Sequence, residues 1–479
     1  MTKSILLSSL FPFILLISYN NVIGQDTVYL HNFYPDYDDL YTFGYGISSY
    51  QNKVAIASPG DDGFLGAAYI YDINGSGDII YDERIVGIDT PYTEYFGGWH
   101  EGHAIDIFKK QLIVGADYNA QGACYIFEES SNNVWTQIQK LQPDELIDCD
   151  NFGSSVAIND SVAVSTAPLR ENPFGSSRGS VFIFSKNPLT SKWEKDTVLY
   201  KPTTVGGAFG DWVSLKNNAE LIISGIDNSS IFVYEKDSLN GQWDLIQTID
   251  LTAYGVQPLS SCCRIDASDH YLVVSGIAYL FVFKKDNGHW NLDHSIFPTI
   301  EEIEGSFGYS VSITDKHLLV GAPLLNNESG TSFLYEKDSS GWQLTKVLLP
   351  IDSDEDKRMG EEVHIDGDYI IIGAPMEESG EGRVYYLNLS QSTGIQNSYK
   401  PISVKAFPNP SNEYIYFEGI PPECFINVYD RVGHEVLNAP ILNNQKVNIK
   451  QLEPGLYKVI IKGKDPRVVF QSSFVKLDP

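Results

Sequence analysis

The stretch Phe307-Gly308-Tyr309-Ser310-Val311-Ser312-Ile313, followed after a short turn by His317-Leu318-Leu319-Val320-Gly321-Ala322-Pro323, decides the fold. Each half reads as a short strand, because apolar and β-branched residues are bounded by turn-forming ones. The same pair of segments recurs along the chain. Close copies begin at Phe43-Gly44, Phe152-Gly153 and Met359-Gly360, and weaker ones at Gly102, Phe209-Gly210 and Cys262. Such self-similarity indicates a repeat architecture.

The spacing inside the repeat is nearly constant. From the leading residue to the small residue that ends the second segment, the step is 13 residues in six copies, as from Gly308 to Gly321, and 14 in the seventh. An aromatic strand follows each copy, and in five copies a further strand opens with tryptophan: Trp135, Trp193, Trp243, Trp290 and Trp342. Four short strands joined by turn residues predict an antiparallel blade. We therefore predict an all-β chain whose bulk is a seven-bladed β-propeller.

Closure of the ring is predicted from the two ends of the repeat region. The seventh unit ends at Leu389 with no tryptophan strand after it, whereas Thr27-Val28-Tyr29-Leu30 precedes the first unit and belongs to no complete blade. We expect this N-terminal strand to dock as the outer strand of blade seven. Closure of this kind leaves no bare strand edge between the last blade and the first.

These motifs resemble the FG-GAP repeats of integrin α-subunit propellers and of many secreted bacterial proteins, over residues 26–390. Five copies lead with Phe-Gly or Met-Gly and four end in Ala-Pro or Ser-Pro, whereas Gly102 and Cys262 depart from the lead. In the integrin-like form, an aspartate-rich loop between the two segments binds calcium. Here the connections are short hairpins such as Thr314-Asp315-Lys316, with too few oxygens for the roughly six to eight ligands that calcium takes.

One acidic run, at 352–356, has alternating carboxylates, but Lys357 stands where a calcium loop needs its turn glycine. We interpret this run as a solvated loop between blades. We therefore assign no metal site and no cofactor to the chain.

A polar linker at 391–401 ends the repeat, and residues 402–479 read as the short strands of a small β-sandwich, at 414–417, 425–429, 447–449, 457–461 and 474–476. This segment resembles the C-terminal sorting domain of type IX secretion. The residues that carry the resemblance are Pro408, Asn409, Pro410, Gly433, Pro454, Gly455, Tyr457 and Lys476. The resemblance implies that the type IX machinery is a partner and that the domain is removed after export. A permanent accessory sandwich is the alternative.

The N-terminus reads as a signal peptide over residues 1–24. Lys3 supplies the positive start, an apolar run extends from Ile5 to Ile17, and cleavage is expected after Gly24. The run is short for a membrane span and contains Pro12, and no later segment has the ~20 apolar residues that a spanning helix needs. We expect no membrane span, and a protein that passes through the periplasm to the outer cell surface or the medium.

The charge and the cysteine content of the chain limit the kinds of partner and cross-link that we expect. The chain has 33 Lys+Arg against 62 Asp+Glu, a net charge of −29, which repels phosphate backbones and makes nucleic acid a poor partner. The five cysteines are odd in number and lack the spacing of a metal site. Cys124 and Cys149 are a candidate disulfide pair, because an exported protein is compatible with one.

No catalytic residue is assigned. His100 and His103 lack the helical spacing of a zinc protease site, and in the repeat register His103 matches Tyr309, an ordinary strand position. The paired acids Glu361-Glu362 and Glu377-Glu378 cannot be placed across a cleft from sequence alone.

Two functions therefore remain open. The favoured one is a binding or adhesion-type propeller that recognises an unidentified protein or glycan through one face. The other is an extracellular hydrolase or lyase with its site at the propeller channel. Inward-facing acids and histidines in one deep pocket favour the enzyme, and a broad exposed aromatic face favours binding.

Overall fold

The structure of the protein is a computed structural model that describes residues 26–33, 35, 41–75, 77–88, 95–98, 103–118, 121–171, 173, 178–202, 209–216, 220–225, 230–254, 264–276, 279–298, 305–350, 357–392, 405–407, 413–418, 424–429, 435–441, 446–462 and 469–476. The chain divides into two compact units, Met1–Leu389 and Ser390–Pro479. Across the described residues, no helix is both long enough and apolar enough to cross a bilayer.

Seven antiparallel blades follow one another through the first unit, and the first five are separate four-stranded sheets with strands in chain order. Blade one comprises β2 (Gly46–Tyr50), β3 (Lys53–Ser58), β4 (Ala67–Ile73) and β5 (Ile79–Ile85). Blade two comprises β6 (Ile105–Phe108), β7 (Gln111–Ala116), β8 (Ala123–Glu129) and β9 (Trp135–Leu141). Blade three comprises β10 (Val156–Ile158), β11 (Val162–Glu171), β12 (Arg178–Lys186) and β13 (Trp193–Tyr200).

The remaining blades repeat this plan. Blade four comprises β14 (Val213–Leu215), β15 (Glu220–Ile223), β16 (Ser230–Lys236) and β17 (Trp243–Asp250), and blade five comprises β18 (Arg264–Ala267), β19 (Tyr271–Gly276), β20 (Tyr279–Asp286) and β21 (His289–Ile296). Blade six comprises β22 (Val311–Ile313), β23 (His317–Ala322), β24 (Thr331–Asp338) and β25 (Gly341–Pro350). Blade seven supplies only β26 (Glu362–Asp366), β27 (Tyr369–Ala374) and β28 (Arg383–Asn388) from this part of the chain.

The N-terminal strand β1 (Asp26–Phe33) completes blade seven, which confirms the predicted closure. Its end, His31–Phe33, pairs antiparallel with Val384–Tyr386 of β28. Its beginning, Asp26–Leu30, pairs parallel with Lys346–Pro350 of β25, a contact that the sequence did not predict. Blades six and seven therefore share one eight-stranded sheet, with β1 at its centre.

Burial explains the strand sequences. The second strand of each blade is covered on both faces by its neighbours; β7 and β23, for example, are buried at every residue. The outer strands are mostly half-buried or exposed, as in β13, but the five repeat tryptophans are at most 8% exposed. A one-residue shift in register separates the third and fourth strands in each of blades one to six. Such bulges increase local twist, which suits a blade that fans outward.

Glycines set the distance between adjacent blades. In blade two, Gly122 lies just before the third strand and has φ +82°. A Cβ at this position would overlap the carbonyl oxygen of Phe152, the lead residue of blade three. The same relation holds between Gly66 and Phe96, and between Gly382 and Phe43 across the closing seam. Backbone therefore lies directly on backbone at these seams, where only glycine fits.

The lead motif of blade two differs from the prediction, which placed it at Gly102. Gly97 has φ +104° and its N–H donates to the Gly115 carbonyl at 2.8 Å, the same bond that Gly153 makes to Thr166 in blade three. The preceding Phe96 is fully buried. Phe96-Gly97 is therefore the lead pair of blade two, and extra residues are inserted between it and the first strand. The insertion was not recognised because Gly102 lies the usual 13 residues before Gly115. Cys262, the predicted lead of blade five, lies outside the described residues.

Lysines at the ends of third strands join each of blades three to six to the blade before it. Lys236 lies 5.9 Å from the Trp243 ring centre in its own blade and 2.9 Å from Asp196 of blade three. The arrangement recurs for Lys186, Lys285 and Lys337, each with the tryptophan of its own blade and an acid of the previous one. A cation over an indole contributes ~0.5–1 kcal/mol at an exposed site, so the set stabilises the outer rim modestly.

Short helical turns occupy loops, at α1 (Asp61–Phe64), a 3₁₀ turn (Leu251–Tyr254), α2 (Glu377–Gly380) and α3 (Leu389–Ser392). The second unit is a small β-sandwich of two antiparallel sheets. One sheet contains β29 (Lys405–Phe407), β30 (Tyr414–Glu418) and β33 (Lys446–Asn448); the other contains β31 (Cys424–Tyr429), β32 (Glu435–Ile441), β34 (Gly455–Lys462) and β35 (Val469–Lys476). The five predicted strand regions are confirmed, whereas β29 and β32 were missed.

The candidate disulfide between Cys124 and Cys149 is not formed. Both are free thiols, Cys124 buried and Cys149 exposed. The Cys124 thiol instead donates to Ser165 Oγ at 2.9 Å, and burial raises its pKa to about 12, so it is inert as a nucleophile.

Substituting Gly122 tests the seam contact. We expect Gly122→Ala to lower the free energy of unfolding by ~3 kcal/mol or more, because the new methyl group meets the Phe152 backbone and the φ is left-handed. Gly241 is the matched control, since its φ is +75° but nothing lies within 4 Å of the site of a Cβ, so Gly241→Ala incurs only backbone strain of ~1 kcal/mol. Urea unfolding of both variants measures the difference, and equal losses would contradict the seam model.

Candidate functional site

The innermost strands of the blades line a central channel with a cavity of about 150 Å³. Polar groups dominate its wall: Ser48, His103, Asp106, Ser214, Asp266, Ser312, Glu362 and His364. On the innermost strands, the position equivalent to Ser48 of blade one carries Asp106, Ala157, Ser214, Asp266, Ser312 and His364 in blades two to seven. The strand periodicity thus aims one side chain per blade at the channel.

These side chains connect each blade to the next. The Ile158 amide donates to Asp106 Oδ2 at 2.7 Å, and the Ile313 amide donates to Asp266 Oδ2 at 2.8 Å. The same bond joins the amides of Ile107, Ile365 and Ser49 to Ser48, Ser312 and His364 of the preceding blades, all at 3.2 Å. Inner strands are sheet edges with N–H groups that need acceptors. The channel acids therefore serve first as structural acceptors.

His103 and Glu362 form the one ion pair between ionisable channel-lining side chains that the described residues show. His103 Nδ1 lies 3.2 Å from Glu362 Oε1, which links blade two to blade seven. Burial lowers the pKa of His103, but the hydrogen bond and charge of Glu362, with Asp106 and Asp266 nearby, outweigh it, so this pKa lies above its usual range. Burial raises the pKa of Asp106 against the opposing effects of His103, the Ile158 amide and Ser48.

A cation and aromatic rings fill the next part of the channel wall. The Arg264 guanidinium lies 4.5 Å from the Trp212 ring centre and 5.2 Å from that of Tyr309, and its Nε donates to the Tyr309 carbonyl at 3.0 Å. His103 packs against the other part of Trp212 at 5.6 Å between ring centres. Arg264 is only 4% exposed, so this group fixes the channel wall.

A second feature lies on the face that bears the loops between second and third strands. Four aromatic side chains form a continuous aromatic row, Tyr41, Phe64, Tyr95 and Tyr118, with successive ring centres 5.8, 5.5 and 4.7 Å apart. Tyr41 and Phe64 are each 37% exposed and Tyr118 is 53% exposed. The interplanar angles are 76°, 42° and 65°, so the rings follow a winding path.

Left-handed backbone conformations place two members of the aromatic row, Phe64 and Tyr95. Tyr95 has φ +51°, and the residue two before the lead glycine is left-handed in every blade where the structure describes it: Thr42, Tyr95, Asn151, Ser306 and Arg358. The Tyr95 amide donates to the Phe64 carbonyl at 3.3 Å, and Phe64 itself has φ +71°. The backbone of the repeat therefore sets the direction of these rings, which leaves little freedom to lose on binding.

A buried carboxylate supports the loop that carries Phe64. Asp61 is fully buried and accepts hydrogen bonds from Tyr69 Oη at 2.6 Å and from Arg84 Nε at 3.1 Å. Burial raises the pKa of Asp61, against the opposing effects of Tyr69 and Arg84. The equivalent acid in blade seven is Glu377, which accepts from Tyr385 Oη at 2.7 Å and from Lys357 Nζ at 3.1 Å. Glu377 and Lys357 are thus structural partners.

The short hairpins that occupy the calcium-loop position contact neighbouring blades. Asp315 accepts hydrogen bonds from Ser268 Oγ at 2.6 Å and the His270 amide at 3.2 Å in blade five, and Asp366 accepts from the Gln51 amide at 2.7 Å in blade one. Within the described segments, no group of three or more His, Cys, Asp or Glu side chains is arranged to hold a metal ion. His100, Glu101 and the acidic run at 352–356 lie outside the described residues.

The sorting-motif residues are described in part. Pro408, Asn409, Pro410 and Gly433 lie outside the described residues, as does Gly24. In the second unit, Gly455 at the start of β34 stands opposite Lys476 at the end of β35.

Two side chains of the sorting motif, those of Tyr457 and Lys476, are buried in the second unit. Tyr457 is 6% exposed and its hydroxyl donates to the Glu453 carbonyl at 2.7 Å, and Lys476 is 3% exposed. The strand pairing therefore brings two separate parts of the predicted motif together.

Comparison with protein families identifies both units. Residues 405–474 match the secretion system C-terminal sorting domain, and residues 135–184, from β9 to β12, match the FG-GAP repeat. The protein is an FG-GAP-repeat propeller with a sorting domain for type IX secretion. It is accordingly an exported protein, secreted or held at the cell surface. No curated protein matches the chain.

Solved structures with low identity also align with this FG-GAP propeller. A putative 6-phosphogluconolactonase from Bacteroides uniformis has 10% identity, covers 88% of this chain and 100% of its own, and gives a TM-score of 0.49. The periplasmic gluconolactonase of Pseudomonas aeruginosa has 15% identity, 65% and 86% coverage, and a TM-score of 0.44. PorZ, a surface component of the type IX secretion system of Porphyromonas gingivalis, has 11% identity, 92% and 60% coverage, and a TM-score of 0.39. These scores carry no functional argument, and the fold rests on the strand pairing.

The ion pair in the channel predicts a pH dependence of stability. Since the pKa of His103 is raised in the folded state, its contribution is full below the unfolded-state pKa of about 6.5 and is lost as pH rises through the folded-state pKa. We expect His103→Gln to lower the melting temperature more at about pH 5.5 than at about pH 8.5. His289→Gln, at an exposed position, is the control. An equal loss at both pH values would show that the pair does not titrate.

Proposed function

We propose that the exported propeller is a binding protein that recognises an unidentified protein or glycan through the face that carries the aromatic row. The row carries this proposal, because exposed aromatic side chains in rigid loops are the usual anchors of binding surfaces. Its rings are partly exposed, contiguous and contributed by blades one and two. A surface of this kind is the feature that favours binding over catalysis.

The channel supports binding less well. Its cavity is about 150 Å³, below the ~300–1,000 Å³ of common ligand pockets. Asp106 and Asp266 each accept main-chain and serine hydrogen bonds that hold blades together. These carboxylates are already used in the structure.

A binding array tests this proposal. The full-length protein is applied to arrayed glycans and host-surface proteins, with and without calcium, beside a row variant, Phe64→Ala/Tyr118→Ala, and a channel variant, His103→Gln/Glu362→Gln. We expect the native protein and the channel variant to bind the same array member and the row variant to lose at least tenfold in affinity, since each buried aromatic contact contributes ~0.5–1.5 kcal/mol. Absence of binding to the whole array, or loss only in the channel variant, would contradict the proposal.

A hydrolase or lyase at the channel is the second candidate, favoured by the His103–Glu362 pair. A histidine and a carboxylate within hydrogen-bond reach of each other are the arrangement of general acid–base catalysis. On this alternative, Glu362→Gln abolishes turnover of a small substrate, whereas the row variant leaves it unchanged.

We infer further that residues 1–24 are removed after Gly24, that residues 26–390 form the delivered propeller, and that residues 402–479 direct it through the periplasm to the type IX machinery. The match of the sorting domain to residues 405–474 supports the last step. On this proposal Pro408, Asn409, Pro410, Gly433, Pro454, Gly455, Tyr457 and Lys476 form the recognised motif.

Removal of the tail tests the route. We expect a chain that ends at residue 401 to fold and accumulate in the periplasm, because the propeller makes its own closed sheet contacts. Cell fractionation with surface proteolysis measures its location, and a chain with Tyr81→Ala, far from the tail in sequence, is the delivery control. Undiminished surface delivery of the shortened chain would contradict the proposal.

A further inference from the structure

Three Asn-Gly pairs lie in the chain, at 74–75, 240–241 and 287–288. Each occupies the hairpin between the third and fourth strands of its blade, in blades one, four and five respectively. In such a pair the glycine has no Cβ to shield its backbone nitrogen, which can therefore attack the side-chain amide carbon of the asparagine. Since the three pairs share their sequence and their place in the blade, their local structure decides which of them reacts.

The asparagine of blade one is held by hydrogen bonds. Asn74 Oδ1 accepts from the Asp78 amide at 2.9 Å, and Asn74 Nδ2 donates to Asp78 Oδ2 at 3.0 Å. Both ends of the side-chain amide are therefore engaged. Loss of the amide nitrogen as ammonia would break the second of these bonds, which raises the barrier to reaction.

In blade four the attacking nitrogen is engaged instead. The Gly241 N–H donates to the Asp237 carbonyl at 2.8 Å, and Asn240 Oδ1 accepts from the Gln242 amide at 2.7 Å. A backbone nitrogen attacks only after its proton is lost. An N–H that is bonded to a carbonyl oxygen gives up its proton less readily, so this pair is protected as well.

The pair in blade five has neither restraint. Asn287 and Gly288 are exposed, and within the described residues neither the Asn287 side chain nor the Gly288 N–H has a hydrogen-bond partner. The two residues form the whole connection between β20 and β21 and have φ +51° and +82°, as in a type I′ turn.

The turn itself allows the reaction. Rotation of the peptide plane between Asn287 and Gly288 converts type I′ to type II′, which needs a positive φ only at the first residue. Glycine tolerates the change at the second residue. The Gly288 nitrogen can therefore turn towards the asparagine side chain while both strands stay paired.

We propose that Asn287 is a site of spontaneous covalent modification, at which a side-chain amide is exchanged for a carboxylate. The Gly288 nitrogen loses its proton and bonds to Asn287 Cγ, and the Cγ–Nδ2 bond breaks. The proton passes through solvent to the departing nitrogen, which leaves as ammonia. One water molecule then opens the five-membered succinimide ring at either of its two carbonyl carbons, which gives aspartate or isoaspartate.

The products act on a contact between blades. Lys285, two residues before the site, lies 5.5 Å from the Trp290 ring centre and 2.5 Å from the buried Glu220 of blade four. Isoaspartate adds one carbon atom to the main chain of a two-residue turn, which then cannot keep type I′ geometry. Modification therefore loosens the hairpin that positions Lys285 and Trp290.

Incubation of the full-length protein in mildly alkaline buffer tests this site. Native protein is compared with Gly288→Ala, in which the methyl group shields the nitrogen and restricts rotation of the peptide plane, and with Gly241→Ala as the matched control. At both positions nothing lies within 4 Å of the site of a Cβ, so both variants keep their fold. Peptide mass spectrometry after digestion measures the conversion at each Asn-Gly pair over time.

We expect Asn287 to convert at least about ten times faster than Asn74 or Asn240, the factor that one hydrogen bond of ordinary strength adds to a barrier. Gly288→Ala slows conversion at 287 by a similar factor, and Gly241→Ala leaves that rate unchanged. Both aspartate and isoaspartate appear at position 287.

Two results would overturn the proposal. Equal rates at the three pairs would show that the hairpin structure does not select the site. An unmodified Asn287, under conditions that convert a synthetic peptide of residues 283–291, would show that the folded hairpin protects it.

Discussion

The close approach of backbones at the blade seams is the constraint on which the rest of the structure depends. At the seams that the structure describes, a left-handed glycine before the third strand lies against the backbone of the next lead residue, as Gly122 does against Phe152 and Gly382 against Phe43. Dense packing leaves no room for adjustment at such a contact. The five seams that have this glycine, at Gly66, Gly122, Gly179, Gly330 and Gly382, therefore hold adjacent blades at a fixed distance.

Closure of the ring depends on strand β1. Because β1 pairs with both β25 and β28, the start of the chain ties blade six to blade seven, and the closing seam at Gly382 and Phe43 is then formed as at other seams. The outer lysines join blades two to six in the same sense, because each lies over the tryptophan of its own blade and pairs with an acid of the blade before it. In the inner hairpins, Asp315 and Asp366 accept hydrogen bonds from neighbouring blades directly.

The fold was well predicted from the sequence because each of the seven copies of the repeat carries the same pattern of buried and turn-forming residues. Sequence reasoning predicted seven blades, one repeated strand position for five tryptophans and the closing strand, all of which follow from alternation and spacing. It misplaced the lead of blade two. The repeat spacing of 13 residues before Gly115 led to Gly102, whereas the true lead, Phe96-Gly97, lies further upstream because residues are inserted between the lead and the first strand.

Sequence reasoning also treated His103 as an ordinary strand position. The pairing of His103 with Glu362 joins residues 259 positions apart, and no local pattern contains that information. The aromatic row was missed for the same reason, since its four rings come from four separate loops, although the tyrosine-rich, lysine-free composition of those loops is a signal that sequence inspection could use.

The buried carboxylates of this propeller have structural partners, whereas the face with the aromatic row carries exposed side chains. Acids that face the channel or lie under loops, such as Asp106, Asp266 and Asp61, are committed to amides, hydroxyls or cations of the protein itself. Removing a partner from a buried carboxylate is costly, so these residues cannot easily be released to act on a ligand. The exposed face differs, because Tyr41 and Tyr118 retain exposure, although Asp62 there also lies 3.9 Å from Arg84. The left-handed turn that recurs before the lead glycine in the described blades places Tyr95 in the row, so an aromatic residue at a structural position adds a ring to the face that we propose binds the ligand.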